Sequence, residues 1–317
     1  MRLAKSLFFL LILPLSIVPA ATAAVPTRAD VLIVTAVDYE YRAVSSLLKS
    51  PQHSILAARE VSDGSYDGGR VVVIRSGWGK AQAAGAAAMA IRAFAPRMVV
   101  MAGVAGGIDA ASVNSGDVVV VQRAFQYDLG QLSHGQVEMW PAETPRETPY
   151  PSPEFESAED LVGAALAAGG RVQFDPWKLP PSCACERDGK PKPGCAEAPV
   201  QIDRAQPRVC AGTVATGDAF LEDPDVSRRL VATHHAVAAD METAAVAEEA
   251  ANSGIPFVGI RLVADMVNGS NQNLYYCLKP FLGPRLHDVM AAVLSNLLKP
   301  PEHFRRVTAS DSCRKPE

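Results

Sequence analysis

Phe257-Val258-Gly259-Ile260-Arg261-Leu262-Val263-Ala264-Asp265 holds one cation, one terminal acid and otherwise only apolar or glycine residues. A short, nearly continuous apolar run of this kind suits a strand covered on both faces of a sheet. Four more runs share its character: Val31 to Thr35, Val71 to Arg75, Met98 to Ala102 and Val118 to Val121. Ala-rich helical stretches lie among them. Lys80 to Phe94 stops before Pro96, Met241 to Ser253 stops at Gly254 and Pro256, and Arg285 to Leu298 ends at Pro300-Pro301. Strands that alternate with helices predict an α/β chain, here a single domain with a mixed central sheet flanked by helices on both faces.

Outward from that core, the chain of 317 residues opens on Arg2 and Lys5, an apolar stretch from Leu7 to Ala20, and Ala21-Thr22-Ala23. A positive start, a short apolar core and a small-x-small site predict a cleaved signal peptide over residues 1–23. The apolar run falls short of the roughly 20 residues that span a bilayer. The expected location is periplasmic or secreted, with no membrane association after cleavage. The formal net charge is −4, two of its positive charges belong to Arg2 and Lys5, and no Lys/Arg cluster follows. Nucleic acid is therefore not expected as a partner.

The mature domain is expected over residues 24–302, followed by a loose polar tail over 303–317. Two segments interrupt the alternation. Trp140 to Pro153 is rich in Pro and Glu, and residues 176–208 form an insertion rich in Pro and Cys. Loops of this length in a compact domain are usually functional or disordered. All six cysteines lie in the mature chain, four of them close together at Cys183, Cys185, Cys195 and Cys210, with Cys277 and Cys313 beyond. After export an even count favours disulfides. At least one bridge using Cys183 or Cys185 is expected to staple the insertion. The clustered spacing fits no common zinc pattern, and no metal is expected.

Ligands of open α/β sheets bind beyond the carboxyl ends of the strands. Four groups sit at such ends. Asp38 and Glu40 follow the first strand, where acids also favour a helix N-terminus for dipole reasons alone. Gly103-Val104-Ala105-Gly106-Gly107 follows Met98 to Ala102, either as a tight turn or as backbone open to a ligand. Asp240, as a helix cap, and Glu242, in the first turn, open the helix that runs to Ser253. Asp265 ends the opening strand, where burial and neighbouring acids raise a carboxyl pKa. If Glu40, Glu242 and Asp265 converge, one of them stays protonated near neutral pH and can act as a general acid. No G-x-S-x-G elbow and no G-x-G-x-x-G after the first strand are present, and no cofactor is expected.

Seven short elements run in one order: Ala36-Val37-Asp38-Tyr39-Glu40, Ser76-Gly77-Trp78-Gly79-Lys80, Gly103 to Gly107, Ser115-Gly116-Asp117-Val118-Val119, Thr216-Gly217-Asp218-Ala219-Phe220, Asp240-Met241-Glu242 and Arg261 to Asp265. That order resembles the purine nucleoside phosphorylase/nucleosidase superfamily, most closely its methylthioadenosine/S-adenosylhomocysteine nucleosidase branch. The two long loops look more like the extracytoplasmic plant relatives, which include storage proteins.

The resemblance implies roles. Asp265 matches the acid at N7 of the departing purine, and Glu40 the base that activates water. Glu242 and Met241 match the ribose contacts, and Phe220 the aromatic that stacks on the base, with Leu221 beside it. Arg261 matches a residue near the water or anion site, Ala105 and Gly106 match the glycine-rich wall of the site, and Trp78 stands at the pocket for the 5' substituent. A homodimer is implied by analogy. Relatives usually carry Ser where this chain has Val104 and Ala264, and a smaller aliphatic residue where it has Trp78.

Phosphorylases of this superfamily place a phosphate-binding Arg near Met101, which Met101 cannot replace, and Arg42 is offset from their other one. The expected function is an exported purine nucleosidase that disfavours bulky 5' groups. A phosphorylase, or a non-catalytic nucleoside-binding or storage protein, is the alternative.

Overall fold

Val31 and Ile33 enter one apolar cluster, whereas Leu32 and Val34 enter another. Successive strand side chains point to opposite faces, so two clusters require cover on both sides of the sheet. The first cluster is closed by Tyr41 and Val44, by Leu161 to Ala168, and by Leu278 to Leu297. The second is closed by alanines between Ala83 and Ala90 and by Ala245 to Ala250, whose small side chains let two helices lie close together.

The computed structural model describes residues 28–134, 136–139, 154–174, 207–267 and 274–314. The expected signal peptide, the stretch from Trp140 to Pro153, and Cys183, Cys185 and Cys195 with the bridge expected there lie outside those residues. In chain order the elements begin with β1 (Val31–Thr35), α1 (Asp38–Ser45), β2 (Lys49–Leu56), β3 (Arg59–Tyr66), β4 (Gly69–Arg75) and α2 (Lys80–Phe94). They continue with β5 (Met98–Gly107), β6 (Val118–Gln126), β7 (Gly130–Ser133), β8 (Gln136–Met139), β9 (Glu154–Glu156) and α3 (Glu159–Gly169). Next come β10 (Val209–Thr216), α4 (Pro224–His234), β11 (Ala236–Asp240), α5 (Thr243–Asn252), β12 (Phe257–Met266) and α6 (Leu274–Leu297).

The main sheet runs β11-β10-β6-β12-β5-β1-β4-β3-β2, with β9 beside β6. It is mixed: β1 lies parallel to β4 and β5, while β12 lies antiparallel to β6. The far end of β5 also pairs with β11, through Gly107 with Ala238 and Gly106 with Ala239. That contact closes β5, β12, β6, β10 and β11 into a ring, and the carboxyl ends of β5, β10, β11 and β12 gather at one mouth. No helix among the described residues is long and apolar enough to cross a membrane.

Four local expectations change. Gly103 to Gly107 is the second half of β5 rather than a turn. Helix α5 begins at Thr243, with Glu242 at the N-cap position, and Asp240 closes β11 while its carboxylate still accepts from the first helical N–H, that of Thr243. Helix α6 starts at Leu274 and tolerates Pro280 and Pro284, because both are exposed and water can take the carbonyls they free. The tail from His303 is docked through Arg314. Arg305 pairs with Asp311 at 2.6 Å, Ser312 bridges to Ala211, and Cys313 is fully buried in a disulfide with Cys210. Closing a loop of 103 residues contributes about 4.7 kcal/mol in the chain-entropy account. Cys277 is disulfide-bonded as well.

Candidate active site

Glu40 sits in the first turn of α1 and is 1% exposed. Its Oε2 accepts from the backbone N–H of Ala36 at 2.8 Å and of Val37 at 3.1 Å, so it caps its own helix. Its Oε1 accepts from the N–H of Val104 at 2.8 Å, which ties the same carboxylate to β5. One carboxylate thus caps the helix and joins it to β5. Burial pushes its pKa up, against the pull of Arg261 and the three N–H donors.

Arg261 lies inside β12 with its side chain wholly buried. Its register partner on β5 is Gly103, where an added Cβ would stand 2.5 Å from Arg261 Nη1 and 2.6 Å from Glu40 Oε1. The glycine is needed for close approach, and the two functional groups converge on the space beside it. Arg261 Nε donates to Asp240 Oδ2 at 2.6 Å and to Thr243 Oγ1 at 2.8 Å, and Nη2 donates to Asp240 and to Glu242 Oε2, the latter at 3.3 Å. Asp240 also accepts from Thr216 Oγ1 at 2.6 Å and from the N–H of Thr243 at 3.2 Å. A buried ion pair is tolerated only when its remaining lone pairs are satisfied in this way.

Glu242 is 5% exposed and accepts from the N–H of Gly79 at 3.0 Å. Burial lifts its pKa to about 7; Arg261 opposes the shift, whereas Asp240 and Glu40 add to it. Asp265, on β12 opposite Gly106 and just past a register irregularity, is lifted to about 6 by burial and then by Glu222. The structure therefore brings Glu40 and Glu242 together around Arg261, while the carboxyl acting on Asp265 is the exposed Glu222. The Tyr275 phenol interacts with both Glu40 and Asp265 and lies 3.2 Å from the hydroxyl of Tyr39.

The rim is aromatic and open. Phe220 is 61% exposed and meets Tyr275 edge-on at 6.3 Å, and Trp78 is 70% exposed. Trp78, Tyr39, Tyr275, Arg75 and Lys279 line a groove of about 390 Å³ that also takes in Ala36 and Val37, whose N–H groups donate to Glu40. A larger groove of about 670 Å³ lies on the far side of Tyr39 between α1 and α6, and holds neither Glu40, Glu242 nor Asp265. Met241 is half-buried, Leu221 packs on the cluster around Phe125 and Leu230, Ala105 is buried beside Val119, and Gly106 lies against Asp265. Val104 meets Glu40 through its backbone, and Ala264 points into the apolar cluster with Ile260 and Leu262. Among the described residues no group of three or more His, Cys, Asp or Glu is arranged to hold a metal ion.

The residues that motif reading leaves without a role here are Thr216, Thr243, Tyr39 and Tyr275. An arginine inside an apolar strand demands a buried counter-charge, and that signal points to Asp240. Nothing local in the sequence marks the tyrosine pair, whose members stand 236 residues apart.

A family model described as the phosphorylase superfamily matches residues 30–292. A 5'-methylthioadenosine/S-adenosylhomocysteine nucleosidase of Mycobacterium bovis is 28% identical over 246 residues, covering 75% of this chain and 86% of its own. Among solved structures, the nucleosidase of the same name from Neisseria meningitidis, in complex with methylthio-immucillin-A, superposes with a TM-score of 0.63 at 22% identity. It covers 83% of this chain and 97% of its own. Futalosine hydrolase of Helicobacter pylori reaches the same TM-score at 20% identity, covering 85% and 97%. These likenesses establish the fold, and two differently named hydrolases share it equally well.

Proposed function

Because the chain belongs to the phosphorylase superfamily, we propose that it is an exported purine nucleosidase, hydrolysing the N-glycosidic bond of a purine nucleoside to free base and sugar. The observation that carries this reading is the convergence of Glu40 Oε1 and Arg261 Nη1 on the space beside Gly103, with Glu242 on the same arginine. Cleavage builds positive charge on the sugar and negative charge on the base. Glu242 and Met241 hold the sugar, and the buried acids stabilise its developing charge. Glu40 takes a proton from water as the water oxygen bonds to C1'. The C1'–N9 bond breaks, and Asp265 supplies a proton at N7. A carboxyl with a pKa of about 6 retains a protonated fraction near neutrality, as a general acid must.

Water is favoured over phosphate as the attacking group. Met101 is fully buried among the alanines of α2 and α5. Arg42 faces solvent and pairs with Asp38 at 3.0 Å. The cation at the acids is Arg261, already held by Asp240 and Glu242. Val104 still gives its backbone N–H to Glu40, and a non-catalytic nucleoside-binding or storage protein stays as the alternative that the purine-release assay decides.

Purine release from adenosine, methylthioadenosine and S-adenosylhomocysteine, with and without phosphate, tests the reading. Release that needs phosphate points to a phosphorylase, and binding without release to a nucleoside-binding protein. The N-terminal stretch supports export to the periplasm or medium, checked by sequencing the mature N-terminus. A homodimer follows from the resemblance and is checked by light scattering.

A further inference from the structure

We propose that Lys80, Asp128 and Asp218 form a latch that positions both sides of the site, acting through Gly79 on the sugar side and through Phe220 on the base side. The roles of those two sides rest on the nucleosidase reading. The latch itself rests on geometry.

Three segments meet here: the start of α2, and the turn after β6 and the loop after β10, which continue from neighbouring strands whose ladder ends at Gln126 and Thr216. Lys80 Nζ donates to Asp128 Oδ1 at 2.5 Å. Asp128 Oδ2 accepts from the N–H of Asp218 at 2.7 Å, and Asp218 Oδ1 accepts from the N–H of Lys80 at 2.7 Å. The bonds close a ring through all three segments. The Lys80 and Asp128 side chains are only 16% and 24% exposed, so their charge-assisted bond is partly shielded from water.

The chain around the ring is shaped to fit it. Gly79 has φ +89°, and a Cβ there would stand 2.9 Å from Asp218 Oδ1. A glycine is required both for that conformation and for the approach of the acid. Gly217, on the other arm, leaves the room that the Tyr127 ring fills.

Consequences run outward by one or two residues. The N–H of Gly79, next to Lys80, holds Glu242 Oε1 at 3.0 Å. Phe220 stands two residues after Asp218. A single ring therefore fixes a donor to the sugar-side acid and the anchor of the stacking ring. These are positioning residues; none is placed against the reacting atoms. The Gly79 N–H favours the ionised form of Glu242, which also faces Arg261, Asp240 and Glu40, so release of the latch moves the titration of Glu242 upward.

Full-length Asp218→Ala and Asp218→Asn, compared with wild type by backbone hydrogen exchange and by adenine release from adenosine, test this. In Asp218→Ala the amides of Gly79 and Lys80 should exchange faster while β1 and β5 keep their protection. The KM for adenosine should rise about tenfold, with kcat within about threefold. The acidic limb of kcat/KM should shift to higher pH. Asp218→Asn should recover most of the loss, because its amide oxygen still accepts from Lys80. Unchanged exchange overturns the proposal. So does local loosening with unchanged KM, and so does loss of protection in β1 and β5, which would make Asp218 a residue of the fold at large. If the wild type releases no purine, the nucleosidase reading fails and exchange alone decides the latch.

Discussion

The floor and the rim of the site are held in opposite ways. On the floor, Glu40, Glu242 and Asp240 each accept two or more hydrogen bonds, and Arg261 is wholly buried among them. At the rim, Phe220 and Trp78 present their rings to solvent. A floor fixed before substrate arrives can stabilise charge without reorganising during the reaction. Exposed rings of this kind can adjust to a ligand, and in the nucleosidase reading substrate choice is expected there. Chemistry and specificity are therefore open to separate attack.

The sharpest break is on the floor. Glu40→Gln should lower hydrolysis by about 10²–10⁴-fold, because an amide cannot take the proton from water, while calorimetry still shows adenosine binding. If binding and turnover fall together, Glu40 belongs to the fold or to substrate binding instead.

Asp265→Asn should cost a comparable factor of about 10²–10⁴ in base release with the fold intact by circular dichroism. Turnover near that of wild type would remove Asp265 from the mechanism.

A pH series reads the buried acids through stability. The pKa of Glu242 lies at about 7 and that of Asp265 at about 6 in the folded chain, against roughly 4 for free carboxyls. Between those values the folded state binds more protons than the unfolded state. Stability from these groups is complete below about pH 4 and is lost as pH rises through 6 and 7. Thermal melts should show Tm falling over that range, with a shallower slope in Asp265→Asn. An identical slope would mean that Asp265 is not shifted.

The smallest effect belongs to the rim. Trp78→Ile should improve use of S-adenosylhomocysteine relative to adenosine by about tenfold in kcat/KM, since side-chain bulk at a pocket wall discriminates by 1–3 kcal/mol. An unchanged ranking of adenosine, methylthioadenosine and S-adenosylhomocysteine would show that Trp78 does not shape the pocket.

What could be read from the sequence follows the same division. Runs such as Val31 to Thr35 and Lys80 to Phe94 match their elements, because apolar continuity and helix-stopping residues are local signals. Gly103 to Gly107 misleads, because a glycine that makes room for Arg261 and Glu40 looks the same in sequence as one that makes a turn. Asp240 is half legible. The acid beside a helix start does accept from the first helical N–H, but its second role, as the counter-charge of an arginine 21 residues away, has no local signal. Helix α6 begins early because the cost of Pro280 and Pro284 depends on which face is wet, and that is set by the packing of the rest of the chain. The tail misleads for the longest-range reason, since only the partner of Cys313 reveals that it is fastened.

That fastening is also a selection among thiols. Cys210 pairs with a thiol that follows it by 103 residues. Cys195 is much nearer in sequence. The strand that leads to Phe220 is thus secured from far along the chain and not by the nearer thiol. A chain truncated before Cys313 would keep every acid of the floor and lose the clasp on β10.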